Sequence, residues 1–199
     1  YLCLDFLLFY KFNINIVMNK LKLLLIIYII LIILSQKRYI IYYPTIPIYK
    51  NNNNESNIVK KLSDNRTQED IDFFYLTNRS IIYAYLPYVK ESKNELLSIT
   101  ESKKIYNILL FLKYLINRAR PYQINDKINY IYTNTGLTPS YPAGHALQAY
   151  YLTSILEKRY PEKKKLFNDL AEKCNDCRIK AGIHYPSDGE FSKYLIKYI

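Results

Sequence analysis

A helical spacing of apolar residues, punctuated by prolines and polar caps, limits this chain more than any other feature. Ile105, Ile108, Leu109, Leu112, Leu115 and Ile116 recur at intervals of three and four, so they line one face of a helix that stops near Pro121. An earlier series, Ile71, Phe74, Ile81, Ile82 and Tyr85, keeps helical spacing up to Pro87, and Thr67-Gln-Glu-Asp70 before it has the form of a capping box. Ser92-Lys-Asn-Glu95 is a second such start and opens the stretch that carries the Ile105–Ile116 face. Residues 121–143 read as a loop. Helical pattern returns from about His145 to Arg159, and Pro161 suits the first position of the next helix. That helix carries Leu166, Leu170, Cys174 and Cys177 on one side and is expected to end near Gly182. The last is expected after Ser187, with Glu190 at the reciprocal capping position, and runs to Ile199. No alternating strand pairs and no internal repeat compete with this pattern, and 4 glycines are few for a loop-rich barrel. The expectation is an all-α helical bundle over residues 67–199.

Residues 41–66 read as a linker, because Pro44, Pro47 and the run Asn51–Asn54 show no sustained period. The amino end has its own logic. Residue 1 is Tyr and the only methionine is Met18, which places the natural start at Met18 and makes residues 1–17 an upstream translation or a fragment edge. Lys20 and Lys22 then precede an apolar run, Leu23–Leu34, followed by Ser35-Gln-Lys-Arg38. A positive start and about a dozen apolar residues have the shape of a signal peptide. The run is shorter than the ~20 residues a spanning helix needs. No small-x-small cleavage site follows it, so residues 18–40 are expected to be a signal peptide or an uncleaved membrane anchor, with a buried helix as the alternative. Either of the first two would leave residues 67–199 outside the cytosol.

The 28 Lys and Arg exceed the 17 Asp and Glu, for a formal charge of +11. Such a balance accompanies nucleic-acid, membrane or anionic-substrate partners. The chain is also crowded with Lys, Asn, Ile and Tyr, whose codons are AT-rich, so nucleotide bias alone is able to produce the excess. No block of basic residues interleaved with aromatics is present, and nucleic acid is not an expected partner. Cys3, Cys174 and Cys177 make no disulfide framework. The Cys174–Cys177 spacing would suit half of a redox or zinc site, but no second ligand pair exists; one helical turn apart, they read as small part-buried residues.

Three clusters carry the residue types that phosphoryl chemistry requires. Lys113 and Arg120, in Lys113-Tyr-Leu-Ile-Asn-Arg-Ala-Arg120-Pro121, are two helical turns apart and are expected on one face near the helix end. Cations there also suit the negative end of the helix dipole. In Ser140-Tyr-Pro142-Ala143-Gly144-His145, a glycine just before a helix start offers backbone N–H groups to an anion, beside an imidazole. In Arg178-Ile-Lys-Ala-Gly-Ile-His184-Tyr-Pro-Ser-Asp188, a helix ends in an arginine, a turn presents a histidine, and an aspartate four residues on can reach it. The chain's 2 histidines fall one in each of the last two clusters.

Together these segments resemble the type 2 phosphatidic acid phosphatase superfamily, whose pattern is Lys-x6-Arg-Pro, then Pro-Ser-Gly-His, then Ser-Arg-x5-His-x3-Asp. The order and the internal spacings agree. The stretch Ser140–Asp188 is most similar to the bacterial class A acid phosphatases, and the resemblance covers about residues 67–199. It implies the helical bundle of that superfamily, which also contains vanadium haloperoxidases, and a metal-independent hydrolysis of phosphate esters with no cofactor. His184 would attack phosphorus to give a phosphohistidine, and Asp188 would hold its other ring nitrogen. His145 would protonate the leaving oxygen and then activate water. Lys113, Arg120 and Arg178 would clamp the non-bridging oxygens, with the Gly144 N–H beside them.

Two positions depart from the pattern. Ala143 stands where the superfamily has a serine that donates to the phosphate, and Cys177 stands for the serine before Arg178. One neutral hydrogen bond is worth about 0.5–1.5 kcal/mol, so the expected effect is a weaker enzyme rather than a dead one. Only eleven residues follow Asp188, and a final helix of the bundle is expected to be missing or supplied by a partner, which leaves a homo-oligomer open. The alternatives are a catalytically degenerate phosphate-binding or membrane-anchored protein of the same fold, and a vanadium haloperoxidase. Sugar phosphates, nucleotides and lipid phosphates all stay open as substrates.

Overall fold

A computed structural model of the protein describes residues 22–31 and 50–199. The chain divides into two units, residues 1–39 and 40–199. In the first, residues 22–31 form helix α1, with its side chains exposed. No helix among the described residues is long and apolar enough to cross a membrane. The remainder of the expected 18–40 segment, and the expected fragment edge 1–17, lie outside the described residues.

Within the second unit the described residues are all-α. The helices are α2 (Asn52–Asp64), α3 (Gln68–Asn78), α4 (Lys93–Thr100), α5 (Lys103–Ile116), α6 (Pro121–Ile124), α7 (Gly144–Arg159), α8 (Lys164–Lys180) and α9 (Pro186–Leu195). Helix α7 is the centre. It buries Ala146, Leu147, Ala149, Leu152 and Leu156, so apolar residues are inside over most of its circumference. Helices α8, α9 and α4 pack around it, and α3 and α2 close over α8. Phe167 and Ala171 from α8, Leu96 from α4, and Ile81, Ile82 and Tyr85 complete this core. Each such fully buried Leu, Ile or Phe contributes roughly 1.5–3 kcal/mol relative to exposure.

Both expected caps form. Thr67 accepts from the Asp70 N–H while Asp70 accepts from Thr67, and Ser92 and Glu95 do the same at the start of α4. Several expected boundaries move. The helical run to Pro87 stops at Asn78 and continues as 3-10 turns over Ile81–Ala84 and Leu86–Tyr88. An α-helix would turn only one face inward, whereas here Ile81, Ile82, Ala84 and Tyr85 are all buried. The stretch from Ser92 to Ile116 breaks at Glu101 and Ser102 into α4 and α5. Helix α9 begins at Pro186, capped by Tyr185 with Asp188 at the third position, rather than after Ser187 with Glu190.

Two differences bear on function. Helix α5 ends at Ile116, and Asn117 turns the chain with φ 50°, so Arg120 lies beyond the helix and not on a face shared with Lys113. The residues read as a linker over 41–66 include α2, capped by the Asn51 side chain, which accepts the Asn53 N–H at 2.9 Å. Its buried residues are Asn52, Glu55, Ser56, Val59 and Ser63. A face so polar leaves no hydrophobic periodicity in the sequence.

Candidate active site

The ends of α5, α7 and α8 converge on a cavity of about 230 Å³. Lys113, Arg120, Gly144, His145 and His184 all line it. Five residues from three separated sequence clusters therefore share one space. Asp188 stands behind His184, and Arg178 is buried outside the lining.

His184 is presented by a tight turn after α8. Gly182 makes that turn at φ 78°, and a Cβ there would fall 2.7 Å from Ile128, so only glycine fits. The imidazole is buried, with Nδ1 3.0 Å from Asp188 Oδ2 and Nε2 3.0 Å from Arg120 Nη1. A guanidinium only donates, so Nε2 is the acceptor; Nδ1 then carries the hydrogen and donates it to Asp188. Burial and the neighbouring Arg120 guanidinium push the His184 pKa down to about 3, although Asp188 pulls the other way. The ring is neutral at ordinary pH, with its lone pair on the cavity side.

Burial pushes the Asp188 carboxyl upward, but the Arg118 guanidinium, with His184 and Ser140, outweighs it and holds the group well below the usual carboxylate range. Oδ2 accepts from the Tyr185 N–H at 3.0 Å and from the Ser140 hydroxyl as well as from His184. Oδ1 accepts from Arg118 at 2.6 Å. A carboxylate with this many donors is fixed in both charge and orientation.

His145 sits half-buried in the first turn of α7, and its Nε2 donates to the Asn78 carbonyl at 3.0 Å. Burial, then the Arg178 charge, set its pKa well below the ordinary histidine value. Arg178 reaches the same element, donating to Thr77 Oγ1 at 2.9 Å and to Asn78 Oδ1 at 3.3 Å, with its guanidinium 4.5 Å from the Phe74 ring centre. Asn78 thus links the imidazole to the arginine. Gly144 opens the helix beside them. A Cβ at Gly144 would lie 3.0 Å from Leu109 of α5, so the glycine lets α5 close against the start of α7. The first helical bond runs from the Leu147 N–H to the Ala143 carbonyl, which leaves the preceding N–H groups at the positive end of the helix dipole.

Lys113 is buried, and its ammonium donates to the Pro139 and Ser140 carbonyls. Burial and the Arg120 charge lower its pKa well below the ordinary lysine value. Arg120 is more heavily engaged than a free clamp. Nε donates to Thr138 O at 2.9 Å, and Nη1 donates to Ile183 O at 2.6 Å as well as to His184.

The structure also recruits residues to which sequence reasoning gave no role. Ser140 and Arg118 lie inside the quoted clusters, and their side chains bond Asp188. Glu55 lies on α2 and carries no signal in the sequence at all. Ala143 is fully buried, caps α7 through its backbone and is absent from the cavity lining, so its methyl faces apolar neighbours rather than the site. Cys174 and Cys177 are free and buried on α8. Among the described residues, no group of three or more His, Cys, Asp or Glu side chains is placed to hold a metal ion. No protein-family model matches this chain, and no match was found among curated proteins.

Proposed function

We propose that this protein is a phosphatase of the type 2 phosphatidic acid phosphatase superfamily, hydrolysing phosphate monoesters through a phosphohistidine on His184. One observation carries the reading: an unprotonated, cavity-facing His184 Nε2, oriented from behind by Asp188, shares a cavity with a second histidine and two buried cations.

The chemistry follows from those groups. Nε2 attacks phosphorus in line, the P–O bond to the leaving group breaks, and the ring gains positive charge that the Asp188 carboxylate offsets. Burial first, then the Arg178 and Lys113 charges, depress the His145 pKa; a phosphate dianion in the cavity offsets those charges and favours proton uptake by His145. Its Nε2–H is held by Asn78, so Nδ1 is the atom that delivers the proton to the leaving oxygen. Nδ1 then removes a proton from the attacking water, the N–P bond breaks and phosphate leaves. Lys113, Arg120 and the Gly144 N–H hold the non-bridging oxygens, and for this the Arg120 Nη1 must exchange His184 Nε2 for a phosphoryl oxygen. Residues 18–40 are assigned to membrane targeting or anchoring, supported by the exposed apolar side chains of α1.

Rapid mixing of the full chain with phosphate-labelled p-nitrophenyl phosphate, followed by quenching, is expected to trap an acid-labile, base-stable phosphoenzyme. His184→Ala should abolish it, vanadate should compete with substrate, and EDTA should leave the rate unchanged. A labelled species that persists in His184→Ala would overturn the nucleophile. Vanadate binding without any hydrolysis would replace the enzyme with a phosphate-binding protein.

A further inference from the structure

Behind His184, away from the cavity, Asp188 belongs to a buried ion triad whose other two members, Arg118 and Glu55, the reaction above does not use. Arg118 is fully buried and donates from Nη1 to Asp188 Oδ1 at 2.6 Å, and from Nη2 to Glu55 Oε2 at 2.6 Å. Its Nε donates to Asn52 Oδ1 at 2.9 Å, and its guanidinium carbon lies 3.8 Å from the Tyr185 ring centre. Glu55 completes the frame by accepting from the Ser187 N–H at 3.0 Å and the Ser187 hydroxyl at 2.6 Å, both in the first turn of α9. Two carboxylates flank one guanidinium, so the triad keeps one net negative charge, and that charge sits against His184 Nδ1.

Such a triad is weak evidence for stability, because well-packed apolar replacements are often as stable or more so. We propose that Glu55 and Arg118 are positioning residues for His184, which fix Asp188 as an aimed carboxylate and thereby keep the lone pair on Nε2. The catalytic consequence rests on the phosphatase reading; the tautomer itself does not. Without Arg118, Oδ1 of Asp188 would be buried with no donor from it, and a carboxyl in that position relieves the cost by taking a proton. A protonated Asp188 no longer selects the Nδ1–H tautomer, which the Arg120 donor at Nε2 then favours without help from the Nδ1 side, and the Nε2–H tautomer cannot attack. Glu55 matters in another way. It balances Arg118, so that Asp188 still presents net negative charge to the ring. The charged or titratable groups around Asp188 are Arg118, Lys113 of α5, Arg120, His184, Tyr185 and, across Arg118, Glu55 of α2.

The test compares wild type, Glu55→Gln and the double variant Glu55→Leu/Arg118→Met in the full chain. The double variant removes the Glu55 and Arg118 charges together, so that neither is left without the other and only Asp188 loses an ion pair. On p-nitrophenyl phosphate, Glu55→Gln is expected to lower kcat about tenfold, and the double variant ~10²-fold, with KM within about twofold. The acid limb of the kcat profile should separate the two variants. In the double variant Asp188 loses the cation that keeps it ionised, so the limb rises by about one pH unit or more; in Glu55→Gln the unbalanced Arg118 holds it where it was or lower. In ¹⁵N-histidine spectra, assigned with His184→Ala, wild-type His184 should show the Nδ1–H pattern, and the double variant a mixture with Nε2–H. A folded double variant with an unmoved acid limb and a pure Nδ1–H pattern would overturn the proposal. Should the double variant fail to fold, Glu55→Gln decides: a limb that rises in it is the overturning result. A wild type that hydrolyses nothing but shows the Nδ1–H pattern, lost in the double variant, would remove the phosphatase reading and leave the positioning role standing.

Discussion

Arg120 Nη1 donates to His184 Nε2 across 3.0 Å, so the nitrogen assigned to attack phosphorus is already hydrogen-bonded to a residue assigned to hold the substrate. Arg120 is also, after burial, the largest cause of the low His184 pKa of about 3. Arg120→Met keeps most of the volume and removes the charge. The His184 titration midpoint, followed by ¹⁵N chemical shift, is expected to rise, while kcat/KM on p-nitrophenyl phosphate falls by ~10²–10³ through loss of an oxygen donor. A midpoint that stays where it was would show that Arg120 does not govern the nucleophile.

The same imidazoles make the fold sensitive to acid. His184 and His145 both have folded pKa values below the ordinary value of 6.5. Between that value and the folded ones, the unfolded chain binds protons that the folded chain does not, so each histidine lowers stability progressively as pH falls. Asp188 acts in the same direction further down, since its stabilising ion pair is present above its unfolded value and is lost as pH falls through its depressed folded one. The urea midpoint is expected to decline steadily from pH 7 to pH 4. A midpoint that is flat over that range would contradict the two buried neutral histidines.

Ala143 is better explained by its backbone than by the cavity. It occupies the N-cap of α7 with φ −74° and ψ 109° and makes no side-chain cap. Ala143→Ser is expected to bond a first-turn N–H and stabilise the fold by about 0.5–2 kcal/mol. Because the side chain does not line the cavity, kcat should stay within about twofold. Thermal melts and kinetics on one ester separate the two effects, and a several-fold rise in kcat with an unchanged melt would place the hydroxyl at the phosphate instead.

Helix α2 belongs to the folded unit. A chain beginning at Thr67 loses Glu55 and Asn52, leaving Arg118 and Ser187 in the core without those partners. Removing one partner of a buried ion pair costs about 3–5 kcal/mol, a large share of the ~5–15 kcal/mol that stabilises a domain. A chain beginning at Ile40 is expected to melt cooperatively and one beginning at Thr67 to be unfolded or greatly destabilised, by circular dichroism. Equal melting temperatures would show α2 to be dispensable.

The sequence by itself determined the helical class, both capping boxes and the pairing of His184 with Asp188, because each leaves a local trace: a 3.6-residue period, a polar pair three apart, or a histidine four residues before an aspartate. It could not place Arg120, since the left-handed turn at Asn117 takes the chain off the α5 axis. It also could not show Glu55 meeting Arg118, 63 residues away, inside the core. Only the tertiary structure decided those contacts, and with them the tautomer of His184 and the charge state of Asp188. The physical reason is that apolar periodicity records which face of a helix leaves water. A buried ion pair is set by where two distant helices pack, and in a helix as polar as α2 that packing has no periodic signature.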